Sequence, residues 1–455
     1  MSQEERRAAS FLSFLRRPVV RGGILLLSFA VAVRLVFWGT YSPISFGDTP
    51  SYLRLAEVVA GGGWGGYDGT RTPGYPAFLA LVGPSPERIF IAQMKLGVAI
   101  SLLLFWMMWR TTRHVRIALL VGGLYSLLPA QLLFEANLLT ETLTTFWIIL
   151  SFALFVALRD SQARLPVQLV LAGLLGVSSS LAGLTRPLFY VLPVCLLPFV
   201  WWKPEAGWPV RLGRSLFFCL GPILLLGGWM NFIHERYGMW SPTVMGGYSL
   251  VQHTGAFFEL LPEDQADLRD VYLRYRDARI AERGNQTNTI WDAIPEMSRV
   301  SGLGFYDLSR ELQRLSLQLI REHPGMYARS VLEGWIGFWK APVYWDPGGF
   351  TPSWLAAPVG AAAWIGRVLC LAANAAFLGL SVLVAFSRKV RARLGREELL
   401  LAATGSVWVI SIAQTLLDHG DNPRFLVPLQ MLVCLVVVLG GWRWRTGKAT
   451  QEVRR

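Results

Sequence analysis

Five charged residues stand where apolar runs begin or end, each in its own stretch of chain: Asp48 in Phe46-Gly47-Asp48-Thr49-Pro50-Ser51-Tyr52, Arg71 in Arg71-Thr72-Pro73-Gly74-Tyr75-Pro76, Glu141 in Leu139-Thr140-Glu141-Thr142, Arg186 in Thr185-Arg186-Pro187 and Arg424 in Asn422-Pro423-Arg424-Phe425. Carboxylates and guanidiniums are the types needed when one group must take a proton while others hold an anion. A positioned carboxylate is a general base, and the planar fork of Arg grips phosphate in bidentate fashion. Asp48 is the candidate base; Arg71, Arg186 and Arg424 are the candidate anion holders, with Lys340 a weaker one. Simpler roles exist for each. Asp48 precedes Thr49-Pro50 as an N-cap would, and arginines at the ends of apolar runs anchor to lipid headgroups. The tract Gly61-Gly62-Gly63-Trp64-Gly65-Gly66 lets a backbone approach a ligand closely or forms a plain surface loop.

The elements that position these residues follow from composition. Of 455 residues, 53% are hydrophobic and only 16% charged, where a soluble domain carries about 25% charged, and the mean hydropathy is +0.41. A soluble single-domain protein is excluded, and four cysteines are too few for a disulfide scaffold. Runs of about 20 apolar residues cross a bilayer as helices. Ten such runs are expected, near 22–40, 89–109, 117–134, 138–158, 167–184, 187–202, 215–233, 357–386, 397–417 and 425–442. The first is a span and not a cleaved signal, because Arg34, Leu35 and Val36 stand where small cleavage-site residues belong. Cys195, Cys219, Cys370 and Cys434 fall inside apolar runs and read as packed thiols.

The basic residues decide orientation. Arg6, Arg7, Arg16, Arg17 and Arg21 precede the first run; Arg110, Arg113 and Arg116 follow the second; Arg159 and Arg164 the fourth; Lys203, Arg211 and Arg214 the sixth. Arg388, Lys389, Arg391, Arg393 and Arg396 follow the eighth, and Arg443, Arg445, Lys448, Arg454 and Arg455 the tenth. All fall on one side, so both termini are expected in the cytoplasm, and the net charge of +13 calls for no nucleic-acid partner. The other side receives the loop 41–88 and a stretch from 234 to 356. There Phe305, Leu308, Leu312, Leu315 and Leu319 recur at helical spacing up to the His323-Pro324 break, predicting an amphipathic helix. A second helix is expected through Val331, Leu332, Trp335 and Phe338, with Trp335, Trp339, Trp345 and Trp354 as rings at the membrane interface. The expected architecture is an all-α polytopic membrane protein: 1–233 a transmembrane catalytic module, 234–356 an extracytoplasmic helical cap, and 357–455 a C-terminal transmembrane module.

At the quoted stretches, together with Glu322-His323-Pro324 and Pro428, the chain resembles the GT-C class of integral-membrane glycosyltransferases, in particular bacterial members related to protein O-mannosyltransferases and aminoarabinose transferases. The resemblance implies transfer of a sugar from a polyprenyl-phosphate donor to an acceptor glycan, lipid or protein, on the outer face of the bacterial inner membrane. It implies Asp48 as catalytic residue, and Arg71, Tyr75, Glu141, Arg186, Lys340 and Arg424 as substrate-binding residues. Many protein mannosyltransferases carry adjacent Asp-Glu in this loop, whereas Thr49 follows Asp48 here. A phosphate leaving group needs no protein acid, so one base suffices, unlike glycoside hydrolysis. No nucleotide fingerprint or zinc-spaced His/Cys cluster occurs. Asp418, His419 and Asp421 offer donors to a divalent cation and read more simply as polar residues of a hydrated loop. Three other functions remain open: a lipid-diphosphate oligosaccharide transferase or ligase, a transporter or flippase, and a scaffold without catalysis. A transporter would place its ionisable groups within broken helices at mid-bilayer.

Overall fold

The computed structural model describes residues 17–160, 164–202, 207–394, 397–420 and 422–452. Helix α1 (Pro18–Thr40) leads through a loop to the short helices α2 (Thr49–Ala60) and α3 (Gly74–Val82), then to the long α4 (Pro86–Thr112). Helices α5 (Val115–Leu127) and α6 (Pro129–Ala136) form one broken traverse, bent by 50° where Pro129 removes a backbone donor and crowds the preceding turn. Then come α7 (Glu141–Asp160), α8 (Leu165–Thr185), a 3₁₀ segment Pro187–Val191 running into α9 (Leu192–Trp201), and α10 (Trp208–Gly221), which continues through a π-helical turn, Pro222–Gly227, into α11 (Gly228–Tyr237). Proline in the first turn starts α1, α4, α8 and α10, where its missing N–H costs nothing.

Each of the ten expected apolar runs is helical. Eight helices are long and apolar enough to cross a membrane, and the bent pair raises the count to nine. The tenth, Pro187–Trp201, is a shorter apolar helix, so by length and composition the expected ten spans number eight or nine. Its 3₁₀ opening rises about 2.0 Å per residue against about 1.5 Å for α-helix, which brings fifteen residues to roughly 25 Å. Counting Pro187–Trp201 as a tenth traverse is what the expected placement of both termini on one side requires. Arg6, Arg7, Arg16, Lys203, Arg396, Arg454 and Arg455 lie outside the described residues. On α1 and on α17 (Ala356–Phe386), leucines, valines and phenylalanines face outward, as lipid-facing surface does. Exposed tryptophans ring both ends: Trp38, Trp64, Trp240 and Trp354 at one, Trp201, Trp202, Trp208 and Trp444 at the other. The chain is an all-α, multi-pass membrane protein.

Between α11 and α17 lies the segment expected as a cap: α12 (Gly246–Thr254), α13 (Ala266–Arg283), α14 (Thr289–Ser301), α15 (Phe305–Glu322) and α16 (Pro324–Phe338). Leu308, Leu312, Leu315 and Leu319 bury the expected stripe of α15 against Tyr248, Val251 and Tyr272, a core of the cap's own. Helix α16 forms as expected but turns differently. Trp335 stacks on Trp408 at 5.7 Å and Trp339 on Phe377 at 5.7 Å, so both rings pack into the bundle while Leu332 and Ile336 face outward. Trp345 is half-buried against Phe350, and Trp354 alone of the four expected interface rings is fully exposed. The last traverses are α18 (Arg388–Leu394), α19 (Glu398–Leu417), the single turn α20 (Asn422–Phe425) and α21 (Gln430–Glu452). The four cysteines are free thiols.

Candidate active site

The five charged residues meet at the cap end as one alternating chain. Arg71 Nη2 donates to Asp48 Oδ1 at 2.7 Å, and Arg424 Nη1 donates to Asp48 Oδ2 at 3.0 Å. The Nε of Arg424 reaches Glu141 Oε1, which also accepts from Arg186 Nη1 at 2.8 Å. Burial deepens along this chain. The Asp48 and Arg71 side chains are 28% and 27% exposed, Arg424 is 12%, and Arg186 and Glu141 are 8% and 1%.

Local sequence explains the placement. Asp48 does occupy the N-cap position of α2, but its carboxylate makes no capping bond, which corrects the simple capping role. Neighbouring hydroxyls organise the turn instead: Thr49 Oγ1 accepts from Phe46 N and donates to Leu138 O at 3.0 Å, and Ser51 Oγ donates to Asp48 O at 2.7 Å. The carboxylate is thereby free to point at the arginines. Burial alone would push its pKa up, but the Arg71 and Arg424 charges and their hydrogen bonds prevail and hold it at about 2. Arg71 also donates to Ser51 Oγ at 3.2 Å and lies over the Tyr52 ring at 5.2 Å. Gly74 admits close packing beside the site, because a Cβ there would stand 2.6 Å from Leu184 O, next to Thr185-Arg186. Arg186 covers the Phe425 ring at 4.0 Å. Glu141 Oε2, Thr140 Oγ1 and Asn137 Oδ1, all where the chain turns into α7, are buried with no hydrogen-bond partner among the described residues.

Two of the expected substrate-binding residues lie apart from this chain. Tyr75 is fully buried, packs edge-on against Tyr52 at 5.1 Å and donates to Gln93 Oε1 at 3.1 Å. It supports the site from behind. Lys340 is exposed just past the end of α16, where its charge acts on His419. His419 has a structural task of its own. Its Nδ1 meets Ser330 Oγ at 2.8 Å, and the same hydroxyl meets His253 Nδ1 at 2.9 Å, pinning the cap to the segment that leads to Arg424. Burial, reinforced by His419, pushes the His253 imidazole down to about 3 and keeps it neutral. Asp418 Oδ1 accepts from Gly420 N at 2.7 Å, and Asp421 lies outside the described residues. Among the described residues no group of three or more His, Cys, Asp or Glu side chains could hold a metal.

Sequence reasoning missed a second ionic feature. Arg34, within α1, grips Glu135, within α6, through Nε–Oε2 at 2.8 Å and Nη2–Oε1 at 2.6 Å, both residues buried. Arg34 Nη1 also donates to Ser126 Oγ at 2.9 Å. The space for this pair comes from Gly97, whose Cβ would stand 2.0 Å from Glu135 Oε1. From there Gln93 Nε2 donates to Glu135 O at 2.8 Å and Asn137 O at 2.9 Å, which fixes the turn between α6 and Glu141. The available signal was the presence of a lone Arg and a lone Glu inside apolar runs.

The fold and site thus define an integral-membrane protein with a partly buried, cation-rich cluster at its capped end. No protein-family profile matches the chain, and no curated protein sequence matches it. Among solved structures it is similar to the apo oligosaccharyltransferase of Archaeoglobus fulgidus, with 13% identity and a TM-score of 0.41 over 88% of this chain. The chain spans 56% of the length of that enzyme. It is also similar to ArnT from Cupriavidus metallidurans bound to undecaprenyl phosphate, with 13% identity and a TM-score of 0.41 over 92% of this chain and 77% of that one.

Proposed function

We propose that the chain is a GT-C-type glycosyltransferase that moves a sugar from a polyprenyl-phosphate donor to an acceptor glycan, lipid or protein by inverting displacement. Asp48 is its base, and Arg71, Arg186 and Arg424 hold the phosphate. The observation that carries this reading is the charge of the ionic chain. Among the described residues three guanidiniums face two carboxylates, so a partly desolvated cluster at the membrane boundary keeps one positive charge in excess. An anion completes it.

In the transfer, the acceptor oxygen bonds to the anomeric carbon as its proton passes to Asp48. The bond from that carbon to the phosphate oxygen breaks, with its electron pair going to the phosphate. A phosphodiester donor brings a single negative charge, which the excess positive charge balances. After transfer the phosphate carries a second charge while Asp48 has become neutral, so the site stays balanced throughout. Electrostatic stabilisation of this kind is largest where the compensating groups are fixed in advance, as the buried Glu141–Arg186 pair is. A lipid diphosphate would bring one charge more than the arginines balance, and a divalent cation would then be the group that offsets it.

The basic end of the bundle belongs in the cytoplasm by the positive-inside rule. The site therefore faces outward from a bacterial inner membrane, where the headgroup of a flipped lipid-linked sugar stands. The stretch 234–356 over the site contributes to acceptor choice, because recognition is carried by segments that vary on a rigid scaffold. The test is incubation of the protein in nanodiscs with a panel of polyprenyl-monophosphate sugars and an envelope fraction. Labelled sugar should move into that fraction with release of polyprenyl phosphate. A folded protein that releases polyprenyl phosphate from none of them overturns the reading.

A further inference from the structure

With both of its oxygens engaged, Asp48 is not available as a base. Each Asp48 oxygen accepts from a different guanidinium, Oδ1 from Arg71 at 2.7 Å and Oδ2 from Arg424 at 3.0 Å. These arginines are the groups that face a phosphate under the function proposed above. A carboxylate so held is a poor proton acceptor, since a general base works best with a pKa near the working pH.

Resting on that proposed function, the geometry points to a site in which the donor's own phosphate switches on the base: it draws Arg71 and Arg424 off Asp48, so donor binding must precede deprotonation of the acceptor. Three features make the exchange feasible. The two ends of the ionic chain differ in freedom, because Glu141 and Arg186 are buried while Asp48 and Arg71 are more than a quarter exposed. Arg71 follows the glycine-rich tract and precedes α3, so its side chain swings without moving a spanning helix. Arg424 is already forked between Asp48 and Glu141, so it can give up one carboxylate and keep the other. The partner gained is stronger than the partner lost, since a phosphate offers each guanidinium a bidentate face where Asp48 offers each a single oxygen.

Acceptor access before donor binding would meet an inert carboxylate. After transfer the roles reverse. The protonated Asp48 no longer competes for the arginines, and the more highly charged polyprenyl phosphate holds them until Asp48 loses its proton. Release of the spent lipid is therefore tied to reset of the base.

The test reads the state of Asp48 directly. Full-length protein in nanodiscs is treated at pH about 5.5 with a water-soluble carbodiimide and glycine ethyl ester, which label protonated carboxyls, and Asp48 is followed by peptide mass spectrometry. Returning its pKa from about 2 to the ordinary 3.8 raises the protonated fraction roughly sixty-fold, so labelling should rise at least tenfold in lipid-free Arg71→Gln and Arg424→Gln. In wild type it should rise when short-chain polyprenyl phosphate is added. Binding of that lipid is measured in parallel by native mass spectrometry. If the lipid binds wild type without increasing Asp48 labelling, the switch is refuted, whatever the arginine variants show, and the phosphate assignment stands. If wild type does not bind the lipid, the proposed function fails, and the switch fails with it.

Discussion

Asp48→Asn separates binding from chemistry, and the structure sets the size of both effects. Asn retains one acceptor oxygen, so one of the two arginine bonds survives, while its amide confronts the other guanidinium donor to donor. The lost interaction follows from the pKa. Lowering the carboxyl from 3.8 to about 2 corresponds to roughly 2 to 3 kcal/mol at about 1.36 kcal/mol per unit. That stabilisation is complete above the unfolded value near 4 and is lost as pH falls through about 2. The variant should therefore be less stable by up to about 2 kcal/mol at neutral pH and lose the acid limb of its stability profile. The same interaction is what an incoming phosphate displaces, so polyprenyl phosphate should bind about tenfold or more tightly to the variant. Turnover should move the other way, falling roughly a hundredfold or more with the general base gone. Single-turnover transfer and lipid binding, measured on one nanodisc preparation, read both. Near-normal transfer by folded Asp48→Asn eliminates Asp48 as the base; weaker lipid binding refutes competition between carboxylate and phosphate for the arginines.

Arg34→Met or Glu135→Leu alone should destabilise by about 3 to 5 kcal/mol, because each leaves a buried charge unpaired, whereas the double variant should recover most of that loss; additive losses in detergent unfolding would show that the two groups do not act as a pair. Gly74→Ala forces a Cβ to within 2.6 Å of Leu184 O, and should cost about 1 to 3 kcal/mol and slow transfer by displacing α3 from Arg186; unchanged activity would mean that this contact does not set the site. Lys340→Ala should leave lipid affinity within about twofold, since the residue stands with His419 and not with the ionic chain, and a large loss would return it to the phosphate site. Reporter fusions after Arg113 and Arg391 should read cytoplasmic, and one after Gly284 external, and an external signal from either of the first two breaks the topology.

Polar groups at the edge of hydrocarbon are costly, which is why Asp48, Glu141 and the three arginines stood out in the sequence although the partners lie between 23 and 376 residues apart. Their pairing was not legible. Whether Asp48 capped α2 depended on Thr49 and Ser51 organising that turn in its place, and on two arginines from distant segments. Tyr75 turned inward because α3 begins at Gly74 and carries its second residue to the buried face. The stripe of α15 was readable because its apolar spacing matches the helical period. Trp335 and Trp339 share that period, but which face of α16 meets the bundle was decided by Trp408 and Phe377, far away in sequence. Arg34 and Glu135 are 101 residues apart, and nothing local to either announces the other.

That separation has a consequence for how the protein is made. Arg34 emerges from the ribosome 101 residues before its partner, which at about 5 to 20 residues per second is a wait of roughly 5 to 20 seconds. During that interval α1 holds a charge that costs about 2.5 to 3.5 kcal/mol at a helix centre. The position of Arg34, about two turns from the end of α1 at Thr40, lets its long side chain reach back to the interface. Until α6 is made, α1 carries Arg34 without the carboxylate that pairs with it in the finished fold. A chain truncated before Glu135 should accordingly be handled by the cell as an unfinished membrane protein, whatever the quality of the helices it already contains.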